Sequence, residues 1–200
     1  MNYHKQMIAE VESLDYKPKL LLHSCCGPCS TYVIDLLSQY FEVIVYFYNP
    51  NIFPEREYDL RAKVQKDFIT AFDESIEFIE EYYDNKEYDD AIKGYEEFPE
   101  KSERCYNCYR FRIEKSFEKA SEIQAEYVCT TISVSKHKNV EYVMRAGKEL
   151  ESKTGIKFLI SDFKKNNGYQ KTIEMSREFD LYRQDYCGCK YSKKEREECQ

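Results

Sequence analysis

Seven of the nine cysteines in this chain fall into three short clusters, Cys25-Cys26-x-x-Cys29, Cys105-x-x-Cys108 and Cys187-x-Cys189. A tetrahedral zinc ion closes with four ligands, so these thiolates exceed what one mononuclear site can use. An iron-sulfur cluster of four irons takes up to four thiolates, and the remaining three would hold a second metal with an open coordination position. One Cys-x-x-Cys pair alone also fits a zinc knuckle, a thioredoxin-like redox site or a structural core. Three clusters in one chain point to metal binding ahead of thiol-disulfide exchange. Cys129, inside an apolar run, reads as a small buried hydrophobe, and Cys199, one residue from the end, as a free tail thiol. Neither is counted as a ligand.

The residues around the thiols have their own chemistry. His23 directly precedes the first cluster and is a candidate ligand, proton donor or hydrogen-bond partner to sulfur. Gly27 and Gly188 let the backbone turn tightly between cysteines that are almost adjacent, and Pro28 suits the first turn of a helix. Cys26 and Cys29 before one helix, and Cys105 and Cys108 at the start of another, would lie where free backbone N–H groups stabilise thiolate charge.

Such a set needs a rigid frame. Lys19 to His23 (KLLLH) is a short apolar run ending at the cysteine turn, Ser30 to Tyr40 has amphipathic helical spacing, and Val43 to Tyr48 (VIVYFY) reads as a strand buried on both faces. This is a βαβ opening. Asn49 to Pro54 is a rigid loop, Glu55 to Phe72 a helix, Ile76 to Ile79 a third strand and Cys108 to Ile123 a helix. Glu126 to Val134 reads as a buried strand, His137 to Leu150 as a helix, Lys157 to Ile160 as a strand and Tyr169 to Leu181 as the last helix. The alternation predicts an α/β class chain with a mostly parallel sheet covered on both faces, and its ligand site at the carboxyl ends of the strands.

At 200 residues and 24.0 kDa, with 42% hydrophobic side chains, the chain fits a single domain over 1–200, its core spanning about 19–192. No signal-peptide pattern and no apolar run of membrane-spanning length is present, so a cytoplasmic protein with no membrane partner is expected. In that reducing compartment close cysteines are ligands or redox thiols rather than structural bridges. The net charge of −7 is unevenly spread. Residues 73–100 hold twelve acidic and two basic side chains, and about 80–100 reads as an acidic surface excursion. Bases including Arg104, Arg110, Arg112, Lys164, Lys165, Lys171, Arg177, Arg183 and Lys190 lie close in sequence to the later cysteines and could form a basic rim.

Ser24 to Ser30 (SCCGPCS) occupies the place where ATP-pyrophosphatase-type enzymes carry a Ser-Gly-Gly-x-Asp-Ser phosphate loop, with cysteines in place of glycine and aspartate. The cysteine side chains would crowd a phosphate, and the loop reads as one that has exchanged phosphate for metal. In order, LLHSCCGPCS, YNPNIFPEREYDLR, RCYNCYRFR and SREFDLYRQDYCGC resemble the QueH-type epoxyqueuosine reductases over roughly residues 19–192. The block after Thr131 matches loosely, and lysines Lys164 and Lys165 follow Asp162-Phe163 where the family tends to have arginines. Lysine keeps that charge without arginine's bidentate geometry.

The resemblance implies a Rossmann-like domain similar to the ATP-pyrophosphatase (HUP) fold, a [4Fe-4S] cluster beside a mononuclear metal (iron or zinc), and reduction of epoxyqueuosine to queuosine at the wobble position of tRNA with a GUN anticodon, fed by an external low-potential electron donor. Opening an epoxide to an alkene needs electrons, protons and a Lewis acid for the departing oxygen. On this basis Cys26, Cys29, Cys105 and Cys108 are assigned to the cluster, and Cys25, Cys187 and Cys189 to the second metal. His23, Asp185 and Tyr186 are candidate proton donors. Asn49, Asn51, Tyr58, Arg61, Tyr106, Lys164, Lys165 and Arg183 are expected to contact substrate or RNA. Competing expectations are a zinc-stabilised RNA-binding module and a thiol-disulfide oxidoreductase.

Overall fold

A computed structural model describes residues 2–198; Cys199 lies outside them. Its frame is one parallel sheet of five strands in the order β3-β2-β1-β4-β5: β1 Lys19–His23, β2 Glu42–Phe47, β3 Glu77–Glu80, β4 Tyr127–Thr130 and β5 Lys157–Phe158. The chain runs outward from β1 through β2 to β3, then crosses to the other side for β4 and β5. The switch point therefore falls between β1 and β4, where Leu20 pairs with Tyr127 and His23 with Thr130. Sheets of this order open a crevice at the carboxyl ends of those two strands.

The apolar run of β1 is explained by its two covered faces. Leu20 and Leu22 join Val43, Val45 and Cys129 in a layer with helices α1 (Tyr3–Glu12), α2 (Gly27–Leu37) and α3 (Glu55–Phe72). Leu21, Tyr46 and Val128 face the opposite layer, filled by α5 (Glu103–Glu122) and α6 (Val140–Thr154). Successive strand side chains point to opposite faces, so this apolar alternation on both sides fixes the register. α2 packs closely on α3: a Cβ at Gly27 would sit 3.0 Å from Val64 Cγ1. Among the described residues no helix is long and apolar enough to cross a membrane.

Several expected boundaries move for physical reasons. The strand expected to run to Val134 stops at Thr130, whose hydroxyl accepts the Ile132 N–H and starts a 3₁₀ turn over Thr131–Val134. α5 begins at Glu103, so Cys105 and Cys108 both lie in its first two turns. The acidic stretch is not only a surface excursion. It forms the short helix α4 (Asn85–Ala91), and Tyr88 and Ile92 are fully buried in the same layer as Cys105 and Cys189. α7 (Gly168–Glu178) precedes the last cysteines, and α1 and α8 (Lys190–Glu198) are helices beyond those expected.

Candidate metal centre and substrate pocket

The first thiol group is built by the loop that leaves β1. The Ser24 N–H donates to the Tyr46 carbonyl (2.8 Å), carrying the ladder one residue past the strand. The Ser24 and Ser30 hydroxyls both donate to the buried Gln65 Oε1 on α3, at 2.5 and 2.9 Å. The Cys25 N–H donates to Thr131 Oγ1 (3.2 Å), whose own hydroxyl faces Cys25 Sγ at 3.4 Å. These bonds fold Cys25, Cys26 and Cys29 inward until their three sulfurs lie within 4.8 Å of one another.

Crowding splits their acidities. Hydrogen bonds from the Cys26 and Cys29 thiols, with help from Arg112, hold Cys25 well below the ordinary thiol range. Burial and the Cys25 charge push Cys26 up to about 12, and Cys29 is raised by its two neighbours and by burial. The surroundings favour the thiolate of Cys25 and disfavour those of the other two, and a bound cation would favour ionisation of all three.

The second group brings α5 to the final loop. Cys105 and Cys108 face Cys187 and Cys189, and each α5 thiolate is opposed by the charge of both loop thiols. Burial, more than this repulsion, pushes Cys108 up to about 12 and raises Cys105. Backbone N–H groups of Lys101 and Ser192 point at Cys105 Sγ (3.3 Å) and Cys189 Sγ (3.4 Å). The Cys187–Cys189 loop is pinned from below: Gly188 accepts the Phe53 N–H (2.8 Å), and Arg61 Nη1 donates to the Cys187 carbonyl (3.2 Å). Gly188 has φ +127, and a Cβ there would meet Ile52 at 3.1 Å and Arg61 at 3.2 Å. Only glycine fits that turn.

Cys25 and Cys29 of the first group and Cys187 of the second line one pocket of about 490 Å³, whose wall also includes Tyr109, Arg112 and Lys138. Lys138 pairs with Glu100 (3.0 Å), and the Cys187 sulfur beside it favours its charged form. Among the described residues the buried Tyr109 hydroxyl has no hydrogen-bond partner. A convergent cavity with an unsatisfied hydroxyl, an ammonium and thiols is suited to a polar ligand.

The expected site residues divide sharply. Arg183, Asp185 and Tyr186 line the pocket. Arg183 donates to Ser176 Oγ (2.7 Å), and Asp185 is 61% exposed and faces Arg196 at 3.6 Å. Tyr186 donates its proton to the Phe53 carbonyl (2.8 Å), and burial pushes its pKa up to about 12. His23 does not reach the pocket wall. Its ring is fully buried between Thr130 Oγ1 (2.8 Å) and the Tyr48 carbonyl (3.2 Å), and burial reinforced by Arg112 holds it neutral, with a pKa of about 3.

Most of the expected substrate contacts are walls of the fold instead. Asn49 bridges Ser24 O and Arg112, each at 2.8 Å, and Asn51 is buried under Gly188. Tyr58 is buried against Phe47 and Tyr83, its hydroxyl on the Glu81 carbonyl (2.7 Å). Arg61 is buried and paired with Glu57 (2.7 Å). Tyr106 turns away toward α6, edge-on to Tyr142 and under Arg145. Lys164 is tied to the buried Asp162 (2.8 Å), and Lys165 is exposed but off the pocket wall. Lys138, Glu100 and Thr131 were not anticipated as site residues, and Tyr109 only as one of several tyrosines near the cysteine loops. For Tyr109 a signal existed, because residues 105, 108, 109 and 112 share one helical face.

Comparison with known proteins agrees with this geometry. A family model described as epoxyqueuosine reductase QueH matches residues 20–195. Epoxyqueuosine reductase QueH of Streptococcus pyogenes serotype M1 is 40% identical over 97% of this chain and 79% of its own length. Those of Staphylococcus epidermidis and Thermotoga maritima are 39% and 35% identical, over 96% and 90% of this chain and 84% and 92% of theirs. Among solved structures, the U34-tRNA thiolase NcsA from Methanococcus maripaludis with its [4Fe-4S] cluster superposes with a TM-score of 0.54 at 14% identity, over 94% of this chain and 69% of that one. At that identity the likeness is one of fold.

Proposed function

The chain belongs to the epoxyqueuosine reductase QueH family of oxidoreductases, and on that premise we propose that it removes the epoxide oxygen of epoxyqueuosine in the wobble position of a tRNA, giving queuosine. The observation that carries this reading is the meeting of two separate thiol groups at one pocket. Two thiolates on one tetrahedral ion at ~2.3 Å lie about 3.8 Å apart. The compact Cys25, Cys26 and Cys29 trio fits a single ion with one position open to the pocket. Cys105, Cys108, Cys187 and Cys189 supply the four thiolates that a [4Fe-4S] cluster takes. This partition replaces the one expected from sequence, because Cys26 and Cys29 close on Cys25 rather than on the α5 pair.

Bound there, a cluster and a neighbouring Lewis-acidic metal would supply electrons and polarise the departing oxygen. The chain's own groups do the rest. Conversion of an epoxide to an alkene takes two electrons and two protons and releases water. Hydrogen bonds from Cys26 and Cys29, then Arg112 and Thr131, favour the Cys25 thiolate, so one ligand stands ready on the pocket wall. Tyr109 and Lys138 line the cavity, where their hydroxyl and ammonium would orient a polyhydroxylated ring and its epoxide oxygen. Arg183, Arg196 and His137 on the pocket wall suit the flanking phosphates of an extruded nucleotide from a GUN anticodon. A low-potential external donor would supply the electrons.

The test is reconstitution with iron and sulfide under anaerobic conditions, then incubation with epoxyqueuosine-containing tRNA and a reductant. Nucleoside mass analysis should show loss of one oxygen atom. A protein that carries iron and sulfide yet leaves the epoxide intact with several low-potential donors would contradict the reading.

A further inference from the structure

Three arginines of this chain are almost wholly buried, Arg61, Arg104 and Arg112. Arginine stays charged in proteins, so each needs an anion inside the fold. Arg61 has Glu57 at 2.7 Å and Arg104 has Glu195 at 3.0 Å. Arg112 is 3% exposed, and among the described residues no carboxylate pairs with it. Its Nη2 donates to the neutral Asn49 amide (2.8 Å) and lies 3.4 Å from the neutral His23 ring, and its Nε has no hydrogen-bond partner among the described residues. Its Nη1 reaches back one helical turn to Cys108 Sγ at 3.8 Å. As thiolates, the sulfurs of Cys108, Cys25 and Cys187, drawn from both thiol groups, are the charges that would offset its burial.

We propose that Arg112 is the internal counter-ion shared by the two thiol groups, and that it stabilises their thiolate, metal-loaded form and raises the reduction potential of the centre they hold. This rests on the reading of the thiols as metal ligands. The argument is one of charge balance in a dry site. Seven thiolates bring more negative charge than a cluster and one divalent ion neutralise, and a fixed cation touching one group while facing the other lowers that excess. A positive charge beside a cluster also favours the added electron. Arg112 further joins the two groups mechanically. Through Asn49, which donates to the Ser24 carbonyl (2.8 Å), it ties α5 to the loop after β1. Its part is positioning and electrostatic.

The experiment compares reconstituted wild-type protein with Arg112→Gln, Arg112→Lys and Asn49→Asp. Iron affinity is measured against a chelator, and the cluster potential by anaerobic spectroelectrochemistry. Asn49→Asp leaves the guanidinium in place and gives it the carboxylate it lacks, so it cancels the charge even if Arg112→Gln fails to fold. The expected result is a shift of the oxidised-to-reduced balance by at least tenfold toward the oxidised form in Arg112→Gln and Asn49→Asp, a move of about 59 mV to more negative potential for a one-electron couple. Iron affinity should fall tenfold or more, and Arg112→Lys should recover at least half of both changes. Wild-type centres whose potential and affinity are matched within twofold by Asn49→Asp and by any folded Arg112→Gln would overturn this inference alone. A wild-type chain that takes up no iron-sulfide centre would overturn both it and the metal reading.

Discussion

Asn49→Ala tests whether the bridge beneath the pocket is as firm as its geometry says. The side chain is 1% exposed and makes two bonds of 2.8 Å, donating to the Ser24 carbonyl and accepting from the Arg112 guanidinium. A hydrogen bond to a charged group contributes ~1.5–3 kcal/mol and a neutral one ~1 kcal/mol, and both former partners would be left buried. The expected loss is about 3 kcal/mol, a large part of the ~5–15 kcal/mol that holds a typical domain. For a chain of this size each kcal/mol moves the melting point by ~2–4 °C, so the midpoint should fall by roughly 6–12 °C. Thermal and urea unfolding of the reduced, metal-free protein, followed by circular dichroism, reads this without any contribution from bound metal. A midpoint within about 1 °C of the wild type, where ~3 kcal/mol was expected, would refute the reasoning and release Arg112 from its proposed anchor.

Tyr109→Phe should leave the melting point nearly unchanged, because the buried hydroxyl has no partner to lose among the described residues, while turnover of epoxyqueuosine tRNA falls by about a hundredfold, the lower range of a lost site donor; equal turnover would remove Tyr109 from the site. Tyr106→Ala should cost about 3–5 kcal/mol as a buried aromatic truncation against α6, with metal content per folded molecule preserved, readable by unfolding and iron assay. Cys129, whose thiol burial pushes up to about 12 from an ordinary 9.0, should erode stability as pH rises through that window, since the unfolded chain releases its proton first. At about pH 10 the loss reaches roughly 1.4 kcal/mol, and in denaturant titrations Cys129→Ala should show a shallower slope between about pH 9 and 12.

The strands and most helices were legible because burial writes them plainly. β1 and β2 are apolar on both faces and sit between helical layers, and α3 matches its expected range from Glu55 to Phe72. The thiol clusters were legible as a set, since no packing argument explains seven such cysteines. The gathering of Cys25, Cys26 and Cys29 into one trio was not, because it depends on how the loop after β1 closes on Gln65 and Thr131, contacts between residues distant in sequence. Tyr106 and Tyr109 are equally close to cysteines in the chain, and only helix phase separates them. Residue 109 shares the face of Cys105 and Arg112, whereas 106 turns to α6. Tyr88 was hidden by its acidic surroundings, which read as solvated surface although the ring itself is buried in the same layer as Cys189. α8 escaped notice because Lys190–Glu198 is almost entirely polar and gives no apolar period. Lys138 carries no local signal: its burial beside Glu100 and Cys187 arises from the tertiary fold.

The claim that two thiol groups load separately at one pocket is tested most directly by iron and acid-labile sulfide content in two reconstituted double variants, Cys26→Ser/Cys29→Ser and Cys105→Ser/Cys108→Ser. The account predicts that the first keeps the sulfide of a four-iron cluster and loses about one metal ion, while the second loses the sulfide and about four irons. Sulfide lost from the first variant and retained in the second would contradict it.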